Sequence, residues 1–163
     1  MSTPLTDAKV VLLSLLTTVA SGGYWDEVAV PNLPGTVKLT PSTYDQTIKN
    51  PQVVVGDQTM DPGEWNTAKD FLMKPKVDVH TYIYRDLAAG PISNQDFGTL
   101  KKQEYAMLEN IRLILTRHSD KPTSDCMFVF YDPQAIDRDV RNQREIMLHK
   151  IIRCTCWMIQ TYS

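Results

Sequence analysis
The C-terminal run "REIMLHKIIRCTCWMIQTY" alternates in polarity almost to its end, and it limits the fold more than any other stretch. Successive side chains of a strand point to opposite faces of a sheet. The pattern predicts one long strand from about Ile146 to Tyr162. Leu148, Ile152, Cys154, Cys156 and Met158 share one face, with Lys150 interrupting it. Ile151, Arg153, Thr155, Trp157 and Ile159 share the other. A strand of this length needs a sheet to lie in, so helix-only folds are excluded.

A second run, "KVDVHTYIYRD", repeats the alternation. Val77, Val79, Thr81 and Ile83 make an apolar face, while Asp78, His80, Tyr82 and Tyr84 make a polar face with an aromatic edge. Helices packed on one side and something wetter on the other fit that split. "CMFVFYD", Cys126 to Asp132, is a shorter strand rich in β-formers. Two helices are predicted. The first runs from about Pro4 to Ala20, capped by Thr3 and closed by Gly22-Gly23, with Leu5, Leu12, Leu16 and Val19 near one face. The second runs from Thr99 to His118, with Leu100, Met107, Leu108, Ile111, Ile114 and Leu115 as its apolar stripe. Lys101, Lys102, Glu104, Glu109 and Arg112 fall mostly outside that stripe.

Between the first helix and the second strand the chain changes character. Residues 24–75 hold six of the ten prolines. Short extended pieces at Thr36–Thr40 and Pro51–Asp57, a Pro62-Gly63 turn and a brief helix from Gly63 to Leu72 are expected there. The segment reads as a hairpin with long loops, which in a small domain are commonly functional or mobile. Residues 132–145 are charged and read as a loop with one helical turn around Asp137 to Val140. The expected class is α+β: a mixed or largely antiparallel sheet of about four to five strands, backed by two main helices, with long loops. With 163 residues, one domain spanning 1–163 is expected, with 24–75 an extended region inside it.

Candidate chemistry is sparse. Cys154 and Cys156 share a strand face about 7 Å apart, too far along the chain for an easy disulfide. Cys126, His80, His118 and His149 lack the spacing of a zinc set, so the cysteines read as packing atoms. Three cysteines in total give no disulfide framework and suit a reducing compartment. His80 lies within reach of Asp78, but neither a nucleophile motif nor an oxyanion site accompanies it. No phosphate loop is present, and Asp132, Asp137 and Asp139 lack the spacing of a calcium loop. The apolar "AKVVLLSLLTTVA" is too short to span a bilayer and follows an acidic residue, so no membrane association is expected. No enzyme activity, cofactor or metal is expected. Tyr82, Tyr84 and Trp157 fall on strand faces opposite the predicted core, so either they contact another surface or a second layer of helix or loop within the chain covers them. The formal net charge of −2 gives no global attraction to nucleic acid, but Arg138, Arg141 and Arg144 form a local basic group.

Three stretches taken together resemble the tail-terminator and tail-completion (head–tail joining) proteins of long-tailed phages and archaeal tailed viruses. They are "DAKVVLLSLLTTVA", then "VDVHTYIYRD" followed by the helix "YAMLENIRLILTRH", and the closing "REIMLHKIIRCTCWMIQTY". The resemblance implies a compact fold whose copies form a ring, commonly hexameric, on the end of the tail tube. It implies a structural protein of the virion tail or neck, assembled in the host cytoplasm. Such a ring stops tube growth and meets the tail-tube protein and the neck or connector proteins. Tyr82, Tyr84 and Trp157 are then candidates for the interface between copies. Arg138, Arg141 and Arg144 are candidates for neighbour contacts or for a lumen that DNA passes through. The 24–75 segment is longer and richer in proline than the family's usual hairpin. The alternative is a small α/β module that binds a peptide or nucleic acid on its sheet face.

Overall fold
The computed structural model describes residues 7–59, 63–65 and 67–161. Its elements, in chain order, are α1 (Ala8–Leu16), a 3-10 turn (Val19–Ser21), β1 (Lys38–Pro41), β2 (Gln52–Val55), β3 (Glu64–Trp65), β4 (Asp70–Met73), β5 (Lys76–Asp86), α2 (Asn94–His118), β6 (Cys126–Tyr131), β7 (Ile136–Asp137), β8 (Val140–Arg141) and β9 (Glu145–Thr161). The class is α+β, with two helices and one mixed sheet of nine strands.

The spine of the sheet is a two-stranded ribbon. β9, the strand that the polarity pattern predicts, pairs antiparallel with β5 from Lys76↔Thr155 to Asp86↔Glu145. It continues in the same register with β4, from Met73↔Met158 to Asp70↔Thr161. Pro75 separates β4 from β5, since it has no N–H to give the ladder. Its carbonyl still accepts from the Cys156 N–H at 3.0 Å, so the register carries across the break. β2 flanks β5, and β1 lies parallel outside β2. β6, β7 and β8 succeed one another along the far edge of β9.

Both helices pack on one face of this sheet. α1 buries Ala8, Val11, Leu12, Leu15 and Leu16, an i, i+3, i+4, i+7, i+8 stripe. α2 buries Leu100, Met107, Leu108, Ile111, Ile114 and Leu115. They meet Val77, Val79 and Ile83 of β5 and Ile146, Leu148, Ile152, Cys154, Cys156 and Met158 of β9 in one cluster. All three cysteines are free and buried. Burial raises the Cys154 thiol to about 12. Contact with the Cys126 thiol, together with burial, pushes Cys156 up as well.

Several sequence expectations need correction. The sheet has nine strands, because two-residue strands carry no readable alternation. The stretch read as a helix from Gly63 to Leu72 is instead the β3–β4 hairpin, held in extended form by β9. The helical turn expected around Asp137 to Val140 is the β7–β8 edge, likewise recruited by β9. Helix α1 starts at Ala8, capped by the Asp7 side chain, and ends at Leu16. Thr17 and Thr18 are extended, and the Trp25 N–H bonds back to the Thr17 carbonyl. The β-branched run Thr17-Thr18-Val19 favours that early exit. Val19 consequently lies half-exposed rather than in the core. The predicted roles of Thr3, Pro4, Leu5, Pro62 and Tyr162 fall outside the described residues. Helix α2 starts earlier than expected, at Asn94, where the Ser93 hydroxyl accepts from the Asp96 N–H at 3.1 Å.

Candidate assembly surface
The sheet face away from the helices has three zones along the ribbon. At the β6 end, Phe128 lies opposite Trp157 and Phe130 opposite Thr155. Phe130 and Trp157 are 5.2 Å apart between ring centroids, and Phe128 and Phe130 5.8 Å. The Lys74 ammonium stands 4.6 Å from the Trp157 ring, a cation–π contact. Phe128 and Phe130 are 38% and 49% exposed. Alternation forces this arrangement: the partners of Cys154, Cys156 and Met158 go inward, so their neighbours must go out.

The middle zone is polar. A trough of about 740 Å³ runs past Asp78, His80, Asp132 and Arg153 to the edge of Phe130. Arg153 and Asp78 are cross-strand partners with a 3.6 Å ion pair. Beyond the trough His80 Nδ1 lies 2.8 Å from His149 Nε2. Tyr82 stacks on the His149 ring at 4.1 Å, and Tyr44 tilts against Tyr82 at 4.7 Å. Burial depresses both histidines, and the neighbouring His80 helps bring His149 to about 4. The short N···N bond holds one proton, since it needs one donor and one acceptor. Gln52 anchors the loop over this zone. Its side-chain oxygen accepts from the Asp45 N–H at 3.1 Å, and its amide donates to the Asp45 carbonyl at 2.7 Å.

The third zone is a groove of about 740 Å³ at the opposite end of the ribbon, lined in part by Tyr44, Ile48, Tyr84 and Met147. Asp86 and Glu145, direct cross-strand partners, stand at its end.

The predicted contact residues are therefore on the open face but not together. Tyr84 is exposed and lies at the groove. Tyr82 is half-buried between Tyr44 and His149. Trp157 is half-buried in the aromatic zone at the far end. The three arginines also separate. Arg138 pairs its N–H with the His149 carbonyl and sits on the open face. Arg141 lies opposite Ile146 on the helix side, with its guanidinium 4.1 Å from the Phe97 ring. Arg144 is exposed in the β8–β9 turn. They do not form one row.

Beneath α2 Lys150, expected on the core face, meets Lys101, Glu104 and Asp139, which the sequence pattern placed outside the core. Lys150 donates to Glu104 at 3.1 Å and to Asp139 at 2.7 Å. Lys101 donates to the same two carboxylates at 3.0 and 2.8 Å. Glu104 is fully buried, and burial raises its carboxyl. Burial also opposes ionisation of Asp139, but hydrogen bonds from Glu104, Lys101 and Lys150 outweigh it and hold that carboxyl at about 2. This cluster pins the β7–β8 edge to the helix. The sequence signal was present: Lys150 on a core face demands a carboxylate, and Glu104 falls four residues after Leu100 on the buried stripe. Asp78, within reach of His80 on the strand, acts on it through its charge, while the His80 ring bonds His149, because the register sets His149 diagonally across from His80. Among the described residues no group of three or more His, Cys, Asp or Glu is placed to hold a metal ion. No described helix is long and apolar enough to cross a membrane. Compared with known protein families and with curated proteins, the chain matches none.

Proposed function
We propose that this chain is a structural protein of a tailed virion, whose copies close into a ring at the tail end or the head–tail junction. The ring ends growth of the tail tube and joins tail to capsid. It works by contact between surfaces, with no bond made or broken. Its partners are further copies of itself, the tail-tube protein and the neck or connector proteins. Arg138 and Arg144 remain free to face a neighbour or DNA in the lumen, whereas Arg141 is engaged with Phe97.

The observation that carries this reading is the aromatic zone of Phe128, Phe130 and Trp157 on an uncovered sheet face. Large rings gathered on one exposed patch are costly in water and suit a partner surface. The resemblance of the three sequence stretches supplies the kind of assembly. The mass of the purified protein in solution, by sedimentation or mass photometry, tests it, together with electron microscopy of the protein mixed with tail tubes. A closed ring is expected. A monomer at every concentration, indifferent to tubes and neck proteins, would exclude it.

A second reading has an observation of its own. Aromatic rings on two adjacent strands, with Lys74 and Arg153 nearby, also suit stacking on single-stranded nucleic acid. Anisotropy of a labelled oligonucleotide, titrated against salt, separates the two. Strong salt-dependent binding by the monomer favours the module.

A further inference from the structure
We propose that His80 and His149 form a two-imidazole site for a divalent transition-metal ion on the open sheet face, with water filling the remaining coordination positions. The site does not depend on the ring reading and stands or falls apart from it.

The two residues are 69 positions apart in sequence, and the strand register brings them together. His80 Nδ1 and His149 Nε2 face each other at 2.8 Å, with ring centroids 5.1 Å apart and ring planes inclined by 24°. Two imidazole nitrogens on one tetrahedral zinc ion stand about 3.3 Å apart, given Zn–N bonds of about 2.0–2.1 Å. An opening of about half an ångström, with a tilt of the rings, therefore replaces the proton between them by an ion. No electron moves in the exchange. The ring that donates in the N–H···N bond transfers that proton through solvent to its own other nitrogen, and both facing nitrogens then offer lone pairs.

The surroundings hold the pair in place and leave it reachable. The β5–β9 ladder fixes both backbones. Tyr82 stacks on His149 at 4.1 Å and Tyr44 packs against Tyr82, which limits the turning of the His149 ring. His80 lines the polar trough, which gives a hydrated ion a way in. Its Nε2 lies at the Gly56 end of that trough, where a Cβ at Gly56 would stand 3.9 Å from it. That nitrogen can carry the displaced proton where water accepts it. Asp78 acts on His80 with a negative charge, and Asp139 on His149. Arg138 and Lys150 oppose a cation at His149. Among the described residues no third His, Cys, Asp or Glu joins the pair, so the ion keeps its waters and exchanges with solvent. Imidazole suits zinc, nickel and copper, whereas calcium and magnesium take oxygen ligands.

The test titrates zinc chloride into the untagged, chelator-treated full chain by calorimetry at neutral pH, with magnesium chloride as the control. One zinc per chain is expected, and no magnesium. His80→Gln and His149→Gln should each weaken zinc binding by more than the roughly 10–100-fold that loss of an outer-shell partner costs. His118→Gln should bind as the wild type does, since His118 ends α2 and bonds Glu27. Zinc should raise the melting temperature of the wild type and leave that of both pair variants unchanged. Circular dichroism of the metal-free variants establishes that they fold. Should either fail to fold, the wild-type chain decides the matter: zinc should shift the ring nitrogens of His80 and His149 together in nitrogen NMR and leave those of His118 in place. No zinc binding up to millimolar concentration would overturn the site. So would binding that survives in both pair variants, equal binding of magnesium, or a shift confined to one of the two histidines.

Discussion
His149 and Lys150 are neighbours in β9, yet they live in opposite circumstances. Lys150 points under α2, is 6% exposed and has carboxylates from Glu104 and Asp139 around it. His149 points to the open face, where burial has stripped water from its ring and the polar compensation is one bond to another histidine. On the covered face the buried charges Lys150 and Glu104 are partnered within the chain, although Glu104 Oε2 itself accepts no hydrogen bond. On the open face the chain leaves groups partly satisfied: the histidine pair, the Asp86–Glu145 pair and the bare aromatic rings. A buried charge without a partner costs several kcal/mol. An incomplete face costs less while water remains, and it gains when a second surface arrives. The difference separates what holds the monomer from what is left for assembly.

Removing Lys150 should have the largest effect. Lys150→Met leaves Glu104 buried with Lys101 as its remaining cation and loosens Asp139 from the helix. Breaking a buried pair by deleting one partner costs about 3–5 kcal/mol. Chemical denaturation of the Phe128→Asp/Phe130→Asp background keeps assembly out of the measurement and should show a loss near the lower end. Pairing Lys150→Met with Glu104→Leu should recover part of it. A loss below about 1 kcal/mol would mean the cluster is as wet as a surface pair and that the two faces do not differ in this way.

The pH response sharpens the same contrast. Folded His149 titrates at about 4 against 6.5 in the unfolded chain. Below 6.5 the unfolded chain takes up a proton that the folded ring refuses, so stability falls as pH drops from 6.5 to about 4. Protonation is opposed by burial, by His80 and by the positive Arg138 and Lys150, and favoured only by Asp139. With solvent screening at a half-buried ring, the loss should be about 2 kcal/mol. The covered face responds later. Asp139 is held at about 2 against 3.8, so its contribution is whole above 3.8 and is lost as pH falls toward 2. His149→Asn should flatten the melting-temperature profile between pH 6.5 and 4 and leave the acid limb in place. A variant profile that keeps the wild-type slope would show that the histidine pair is not its source.

How far this was legible in sequence follows the same division. The ribbon was readable because alternation over β5 and β9 is a local signal, and so was the inward placement of Cys154 and Cys156. Glu104 was misplaced because its polarity was weighed against its position, although its spacing from Leu100 and Met107 puts it on the stripe. The β3–β4 and β7–β8 pairs were missed because β4, β7 and β8 owe their shape to β9, and β3 owes its shape to β4, a long-range cause that no window of sequence contains. The His80–His149 bond and the separation of the aromatic zone from the groove need the register, and register is fixed by tertiary pairing. Which residues of the two long strands face outward was readable. Which of them stand together was not.

Trp157 tests whether the open face is spare in the monomer. Trp157→Ala should weaken self-association by about 2 kcal/mol, as truncation of a central aromatic anchor does. Unfolding of the isolated subunit should lose only about 1 kcal/mol, from the half-buried ring and its contact with Lys74. Equal losses would move Trp157 into the structural core and take the aromatic zone out of the assembly surface.

The smallest effect distinguishes two arginines that look interchangeable in sequence. Arg141 lies on the covered side with its guanidinium over Phe97, and Arg138 lies on the open side next to His149. Arg141→Ala should lower subunit stability by about 0.5–1 kcal/mol, the value of an exposed cation–π contact. Arg138→Ala should leave it unchanged or slightly higher, since it removes a positive charge beside a ring that burial already makes hard to protonate. In an assembled ring the order should reverse. If the open face meets DNA or a neighbouring copy, Arg138→Ala weakens that contact and lowers its salt dependence by about one ion per copy. Arg141→Ala then has little effect on it. Matching behaviour of the two variants in both measurements would mean that the face on which an arginine lies does not decide its role, and the division between covered and open face would fail at its most economical test.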